Sequence, residues 1–374
     1  MSTLARTDNS VLTRWWWTVD RWNLAAVGIL AMAGAVLALA ASPPVAARLG
    51  LDTYHFAARQ AVYLGLGLLV VVATSLLSPK GVRRLAFGLL LVSLVLMIAV
   101  LAVGPEIKGA QRWLPLGGLS LQPSEFVKPA LAVSAAWFFA QARLHEGYPG
   151  NIVATGIFLM VAALLLMQPD VGMTMVCAAI WGVEFFLAGL PLILVFGIGA
   201  GFLAAFVGAY FTFGHVRARV DRFFDPDAGE GYQIMRSLDA FRNGGLTGRG
   251  PGEGRVKEVL PDAHTDFIFA VAGEEFGMLV CVALVGVFAF IVVRGLMRAY
   301  RDDNLFVLLA SAGLLVQFGV QAMINLASTL HLIPPKGMTL PFVSYGGSST
   351  VAIALGFGMM LALTRARPGE GGLK

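Results

Sequence analysis

A few charged side chains in otherwise oily surroundings carry the chemical interest of this sequence. Asp266 opens the run FIFAVAGEEFGMLVCVALVGVFAFIVV, which is apolar enough to cross a membrane, and Glu274 and Glu275 sit inside it. Carboxylates at such a depth are paired, face water or do chemistry. On a helix Asp266, Ala270, Gly273 and Gly277 share a face, which puts the aspartate at the head of a groove of small residues. Glu274 lies eight residues on. That is about 12 Å along a helix axis, beyond the ~5–9.5 Å between the two carboxylates of a glycosidase. The glutamates are therefore expected to pair with polar groups of neighbouring helices. Asp266 is left with two readings, a cap for its own helix or a lone carboxylate able to take a proton.

Other candidates lie in two further stretches. In KGAQRWLPLGGLSLQPSEFVKPA, Ser124 is placed to cap a helix beginning at Glu125, and Lys128 follows on the same face. That spacing suits a structural ion pair securing a helix end. Arg112 and Trp113 either mark the membrane interface or offer a cation to an anionic headgroup. Gln317, Gln321, Asn325 and Ser328 make a polar stripe on an apolar helix. The stripe leads to HLIPPKGMTLPFVSYGGSS, whose prolines and glycines forbid a regular helix and which carries Lys336. Irregular backbone near membrane depth survives when buried in protein or lining a wet cavity, so the stripe is either a cavity wall or a seam of interhelical hydrogen bonds.

These groups must be held by a membrane bundle. Of 374 residues, 57% are hydrophobic and 13% charged, and the mean hydropathy is +0.77, whereas soluble domains carry about 25% charged residues. The fold class is all-α, a polytopic integral membrane protein with about ten transmembrane helices, near 22–41, 57–77, 85–103, 124–142, 152–168, 171–189, 191–213, 266–293, 304–332 and 347–364. Lys and Arg crowd the short loops on one side, and Trp15, Trp16 and Trp17 suit an interfacial anchor, so both termini are expected in the cytoplasm. The chain then reads as a single membrane domain, 1–374. It has a cytoplasmic N-terminal segment 1–21, a large extracytoplasmic loop 214–264 and a cytoplasmic C-terminal tail 365–374. Within that loop Tyr232–Phe241 reads as a short amphipathic helix, with Ile234, Leu238 and Phe241 on one side. The run GRGPGEGR lacks the Lys-Ser/Thr ending and strand-to-helix setting of a nucleotide cradle. The net charge of +5 is an orientation signal rather than a mark of nucleic acid, which is not expected as a partner. Cys177 and Cys281 lie in apolar runs and read as small core residues. The five histidines show no metal-ligand spacing.

From about Trp15 to Arg367 the sequence resembles the SEDS family (shape, elongation, division and sporulation) of bacterial peptidoglycan polymerases. The resemblance rests on dispersed motifs in the family's order: QRWLPLGGLSLQPSEFVKP, MQPDVGMTMV, GYQIMRSLDAFRNGGLTGRGPGEG, KEVLPDAHTDFIFAVAGEEFG and IPPKGMTLPFVSYGGSS. The wording is most similar to the family's division branch, with the elongation branch second. The family more often has Glu where Asp262 stands. The resemblance implies a ten-span fold in the bacterial cytoplasmic (inner) membrane, placed at the division septum, with an active site facing outward. It implies Asp266 as the catalytic residue. It implies Arg112, Lys336, Glu258, His264 and Ser344 as substrate-binding, and Glu125 with Lys128 as a buried charged pair.

The implied reaction joins lipid II units, a GlcNAc 4-hydroxyl attacking C1 of MurNAc and undecaprenyl pyrophosphate leaving. The resemblance fixes no cofactor, and a divalent cation (Mg2+ or Mn2+) could assist the leaving group. The implied partners are a class B penicillin-binding protein (an FtsI-like transpeptidase), other division proteins and membrane lipid. Two competing readings are a lipid II flippase, whose polar residues should reach both membrane faces, and a division scaffold without catalysis.

Overall fold

A computed structural model of the chain describes residues 10–107, 110–117, 119–212, 214, 217, 221, 229–334 and 337–366. The helices, in chain order, are α1 (Val11–Thr18), α2 (Arg21–Arg48), α3 (His55–Ser75), α4 (Pro79–Val103), α5 (Pro123–Leu144), α6 (Gly150–Met167), α7 (Val171–Leu187), α8 (Leu192–Thr212), α9 (Gly229–Gly244), α10 (Ile268–Ala299), α11 (Leu305–Thr329) and α12 (Gly347–Leu363). Ten of them, α2–α8 and α10–α12, fall on the ten expected spans. Six are long and apolar enough to cross a membrane, while α7 and α12 are apolar but shorter. The protein is a multi-pass membrane protein. The only strands among the described residues form two small antiparallel hairpins between α4 and α5, Glu106–Ile107 with Ala110–Gln111 and Leu114–Leu116 with Leu119–Leu121.

Helix α5 is the axis of the bundle. Its alanine-rich stretch from Ala130 to Ala140 is almost wholly buried, and such small side chains let α4, α6, α7, α11 and α12 approach closely. Helix α11 is the second buried axis and carries the polar stripe on its inner side. The first and last described segments meet at one end of the bundle. There Trp15 Nε1 donates to Ser75 Oγ, Ala366 N–H donates to Thr18 O, and Asp20 caps α2 while pairing with Arg294 and Arg298. Trp15 is thus a buried link, while Trp17 remains exposed. The loops around 104–122, 168–170, 245–267 and 330–346 close the opposite end.

Several local expectations are corrected. Helix α2 runs through Pro43 and Pro44 to Arg48, well past the expected end at 41. Ser124 does not cap α5. The helix begins two residues before Glu125, at Pro123, whose fixed φ suits a first turn, and Gln122 stands at the cap without a side-chain bond. Asp266 does not cap α10 either. Residues 261–267 form a tight turn, Phe267 takes the cap position, and the helix starts at Ile268. The small-residue face stops short of Gly277, because the helix breaks there (φ 78°, ψ 179°).

That break explains the glutamates. A regular helix would bond Met278 N–H to Glu274 O and Leu279 N–H to Glu275 O. Here a strap of residues 245–250 takes all four groups. Arg249 and Gly250 donate to the two carbonyls, and Gly245 and Leu246 accept from the two amides. A Cβ at Gly277 would stand 2.3 Å from Gly248 N, so only glycine permits the approach. The carboxylates fasten the rest of the strap. Glu274 accepts from Arg255 N–H and Val256 N–H and lies 3.6 Å from Arg249. Glu275 accepts from Gly252 N–H and the Lys257 ammonium. The expected partners on neighbouring helices are instead in the long connection, since broken backbone at this depth must find its bonds in adjacent protein.

Candidate functional site

The turn 261–267 is wound on one carbonyl. Asp262 has φ 52°, a left-handed conformation that aspartate tolerates better than most residues. Its carbonyl accepts from the amides of Thr265 and Asp266 and from the Thr265 hydroxyl. Three later carbonyls of the turn, those of His264, Thr265 and Asp266, each find a donor in the C-terminal third of the chain. His264 O accepts from Tyr345 N–H (2.9 Å), Thr265 O from Ser344 Oγ (2.6 Å) and Asp266 O from Asn325 Nδ2 (2.9 Å). Asp266 itself is half-buried, at the rim of the bundle. Its carboxylate lies beside Gly337 (φ 60°), where a Cβ would stand 3.6 Å from Asp266 Oδ2.

The remaining candidates separate by their contacts. Ser344 is buried, and its hydroxyl donates to Thr265 O and accepts from Leu340 N–H. These two bonds tie the loop before α12 to the Asp266 turn. His264 packs its ring against Phe56 and Tyr345, with centroids at 4.5 and 5.3 Å. Burial pushes its imidazole down to about 4, with Asp262 opposing and Arg48 assisting, so the ring is neutral at ordinary pH. Glu258 ends a 3₁₀ turn, Val256–Glu258, on the strap and is exposed. Arg112 clamps the α6–α7 connection. Its guanidinium donates to Gln168 O (3.0 Å) and Pro169 O (2.6 Å) and lies 3.5 Å from Asp170, with about a quarter of the side chain exposed. Lys336 lies outside the described residues.

Glu125 and Lys128 form a buried pair at 2.7 Å, and Lys128 Nζ also donates to Gln321 Oε1 at 2.6 Å. The Gln321 amide continues the chain to Thr339 O and Oγ1. The polar stripe of α11 is therefore a seam. Gln321 and Asn325 grip the loop before α12 on one side, while Lys128 and the Asp266 turn sit on the other.

Sequence reasoning missed Arg48, Gln60 and Tyr345. Arg48 Nη2 donates to Leu260 O at the start of the turn, and Gln60 Nε2 donates to Ser344 O. Burial raises the Tyr345 phenol, against the hydrogen bond from Arg59, which keeps it neutral. Arg48 was visible only as an orientation charge, and nothing local in the sequence marks Gln60. Among the described residues no three His, Cys, Asp or Glu side chains gather as a metal cage.

Comparison with known proteins places these motifs. The family model FTSW_RODA_SPOVE, described as "Cell cycle protein", matches residues 21–368. A protein of Caulobacter vibrioides named "Probable peptidoglycan glycosyltransferase FtsW" is 48% identical over 369 residues, 98% of this chain and 95% of that protein. A protein of the same name from Escherichia coli O6:H1 is 36% identical over 349 residues, 89% and 83% of the two chains. Among solved structures, a chain described under "Structural coordination of polymerization and crosslinking by a peptidoglycan synthase complex" superposes with a TM-score of 0.77 at 29% identity, covering 93% of this chain and 98% of the other. The rod shape determining protein RodA of Thermus thermophilus gives 0.70 at 29% identity, covering 93% and 97%.

Proposed function

This chain belongs to the FTSW_RODA_SPOVE family of cell cycle proteins, and from that membership we propose that it is a glycan-strand polymerase acting on lipid II. It is a membrane-embedded peptidoglycan glycosyltransferase, and its setting is septal wall synthesis, with the Asp266 end of the bundle outside the cytoplasmic membrane. The crowding of Arg294, Arg298 and Arg365 around Asp20 and Ser75, at the end where α1 meets Ala366, supports that orientation. The observation that carries the mechanism is the half-buried Asp266 carboxylate, presented at the rim on a turn with three carbonyls tied down.

A sugar hydroxyl is a poor nucleophile until a positioned base takes its proton. Asp266 takes the proton of the GlcNAc 4-hydroxyl as that oxygen bonds to C1 of MurNAc. The C1–O bond to pyrophosphate breaks, and its electron pair leaves with undecaprenyl pyrophosphate. Negative charge grows on the leaving group, and fixed cations nearby lower that cost. Arg112, held rigid by three contacts yet partly exposed, suits this task, as does Lys336, next to Gly337 in sequence. Glu258 and the neutral His264 are assigned to orienting the sugars. The description of the structural relative as a synthase complex supports a crosslinking partner for this chain, a class B penicillin-binding protein. The test is glycan synthesis from labelled lipid II by the purified protein with that partner. Polymer should form with the pair, and lipid movement across vesicles without sugar joining would overturn the reading.

A further inference from the structure

The three tied carbonyls of the Asp266 turn are not held alike. Those of His264 and Thr265 are tied to neighbours in the loop before α12, Tyr345 and Ser344. That of Asp266 is tied to a transmembrane helix, by Asn325 Nδ2 at 2.9 Å, and the same nitrogen lies 2.7 Å from Met338 O. Asn325 is 2% exposed, and its Oδ1 has no hydrogen-bond partner among the described residues. The side chain thus uses only its two donors, and both go to backbone carbonyls on segments far apart in sequence. One carbonyl belongs to the residue that bears the carboxylate. The other belongs to the residue after Gly337, which the carboxylate faces.

A planar NH2 group has two N–H bonds splayed by about 120° on one atom, which is what two carbonyls at hydrogen-bond distance from one nitrogen require. Serine or threonine brings one donor, and aspartate would set oxygens against both carbonyls. One turn earlier Gln321 grips the adjacent Thr339 and carries Lys128, so the loop is pinned at successive residues from successive turns of α11. Thr329 Oγ1, 3.5 Å from Asp266 O, lends a longer contact.

We infer that Asn325 is a positioning residue that sets the distance between the Asp266 turn and the Gly337–Met338 segment through its two amide donors. It touches no substrate and acts through Asp266, so the inference rests on the polymerase reading for its kinetic consequence. Displacement of a reacting group by about 1 Å can cost 10²-fold in rate.

The test uses the full chain with its transpeptidase partner in lipid nanodiscs, comparing wild type with Asn325→Asp, which keeps shape and loses both donors. The expected result is a fall in kcat for glycan synthesis of roughly 10²-fold with KM for lipid II little changed. Hydrogen exchange should quicken at Thr265–Phe267 and at Leu340–Tyr345, and stay unchanged in α5. Unchanged kcat, or faster exchange spread evenly over the bundle, would overturn the inference. If the aspartate variant does not fold, Asn325→Ser, which keeps one donor, should give the same localised exchange with a smaller loss of kcat; normal exchange there refutes the claim. The exchange readout does not depend on the chemistry. Localised loosening together with an active Asp266→Asn variant would keep the positioning role and remove the general base.

Discussion

The buried ion pair offers the sharpest energetic test. Lys128 Nζ has no exposed surface and two partners, Glu125 at 2.7 Å and Gln321 Oε1 at 2.6 Å. With an effective dielectric of about 20, opposite charges 2.7 Å apart attract by roughly 6 kcal/mol. Part of this offsets the desolvation of both groups, so the net worth of the pair is smaller. Removing Glu125 alone strands the ammonium with one neutral acceptor, and removing Lys128 strands the carboxylate. Each single change, Glu125→Leu or Lys128→Met, should cost about 3–5 kcal/mol. The double variant strands neither charge and leaves only Gln321 Oε1 without its donor, about 1–3 kcal/mol. Additive singles would predict ~6–10 kcal/mol, so the coupling is several kcal/mol and of rescuing sign. Reversible SDS unfolding of the four purified proteins in mixed micelles reads it directly. A double variant as damaged as the sum of the singles would show that the two charges are not compensating each other.

Three further outcomes are expected. Gly277→Ala should release the strap and lower both stability and activity, because its Cβ would stand 2.3 Å from Gly248 N and 2.4 Å from Leu246 O; protease cleavage between 245 and 257 reports it, and an uncleaved, active variant contradicts it. The His264 imidazole is held near 4, below its unfolded value of about 6.5. The unfolded chain therefore gains the proton first, so this contribution to stability is complete above pH 6.5 and is lost as pH falls toward 4. His264→Phe should flatten that part of the stability–pH curve relative to wild type, and identical curves would exclude the assignment. A cysteine at the exposed Gly252 should react with an impermeant thiol reagent added to cells with a permeabilised outer barrier, and labelling only after lysis would invert the proposed orientation.

The helices were legible because transmembrane periods and lengths are written locally: ten apolar runs became ten helices. What stayed hidden depends on contacts between distant segments. The break at Gly277 sits inside an unbroken apolar run, and only the strap from 245–250 supplies the bonds that make it tolerable. The structural role of Glu274 and Glu275 is legible from their depth in an apolar run, but their partners are backbone amides of the Gly-rich stretch, which no side-chain pattern marks. Of the two readings of Asp266, the helix cap fails because the Asp262 carbonyl winds one more turn before the helix starts. The spacing of Gln321 and Asn325 marked a polar face, but not what it would grip. That needed the loop before α12, whose path three prolines and several glycines leave undetermined from sequence.

The central claim is that Asp266 is the base. Asp266→Asn keeps the size and hydrogen-bonding shape of the side chain and removes its ability to take a proton, and base catalysis contributes roughly 10²–10⁴ in rate. The decisive measurement is the rate of glycan-strand synthesis from labelled lipid II by purified Asp266→Asn protein bound to its transpeptidase partner. Folded, partner-bound variant with polymerisation slowed by at least about 10²-fold is the predicted result; polymerisation within a few-fold of wild type would contradict it.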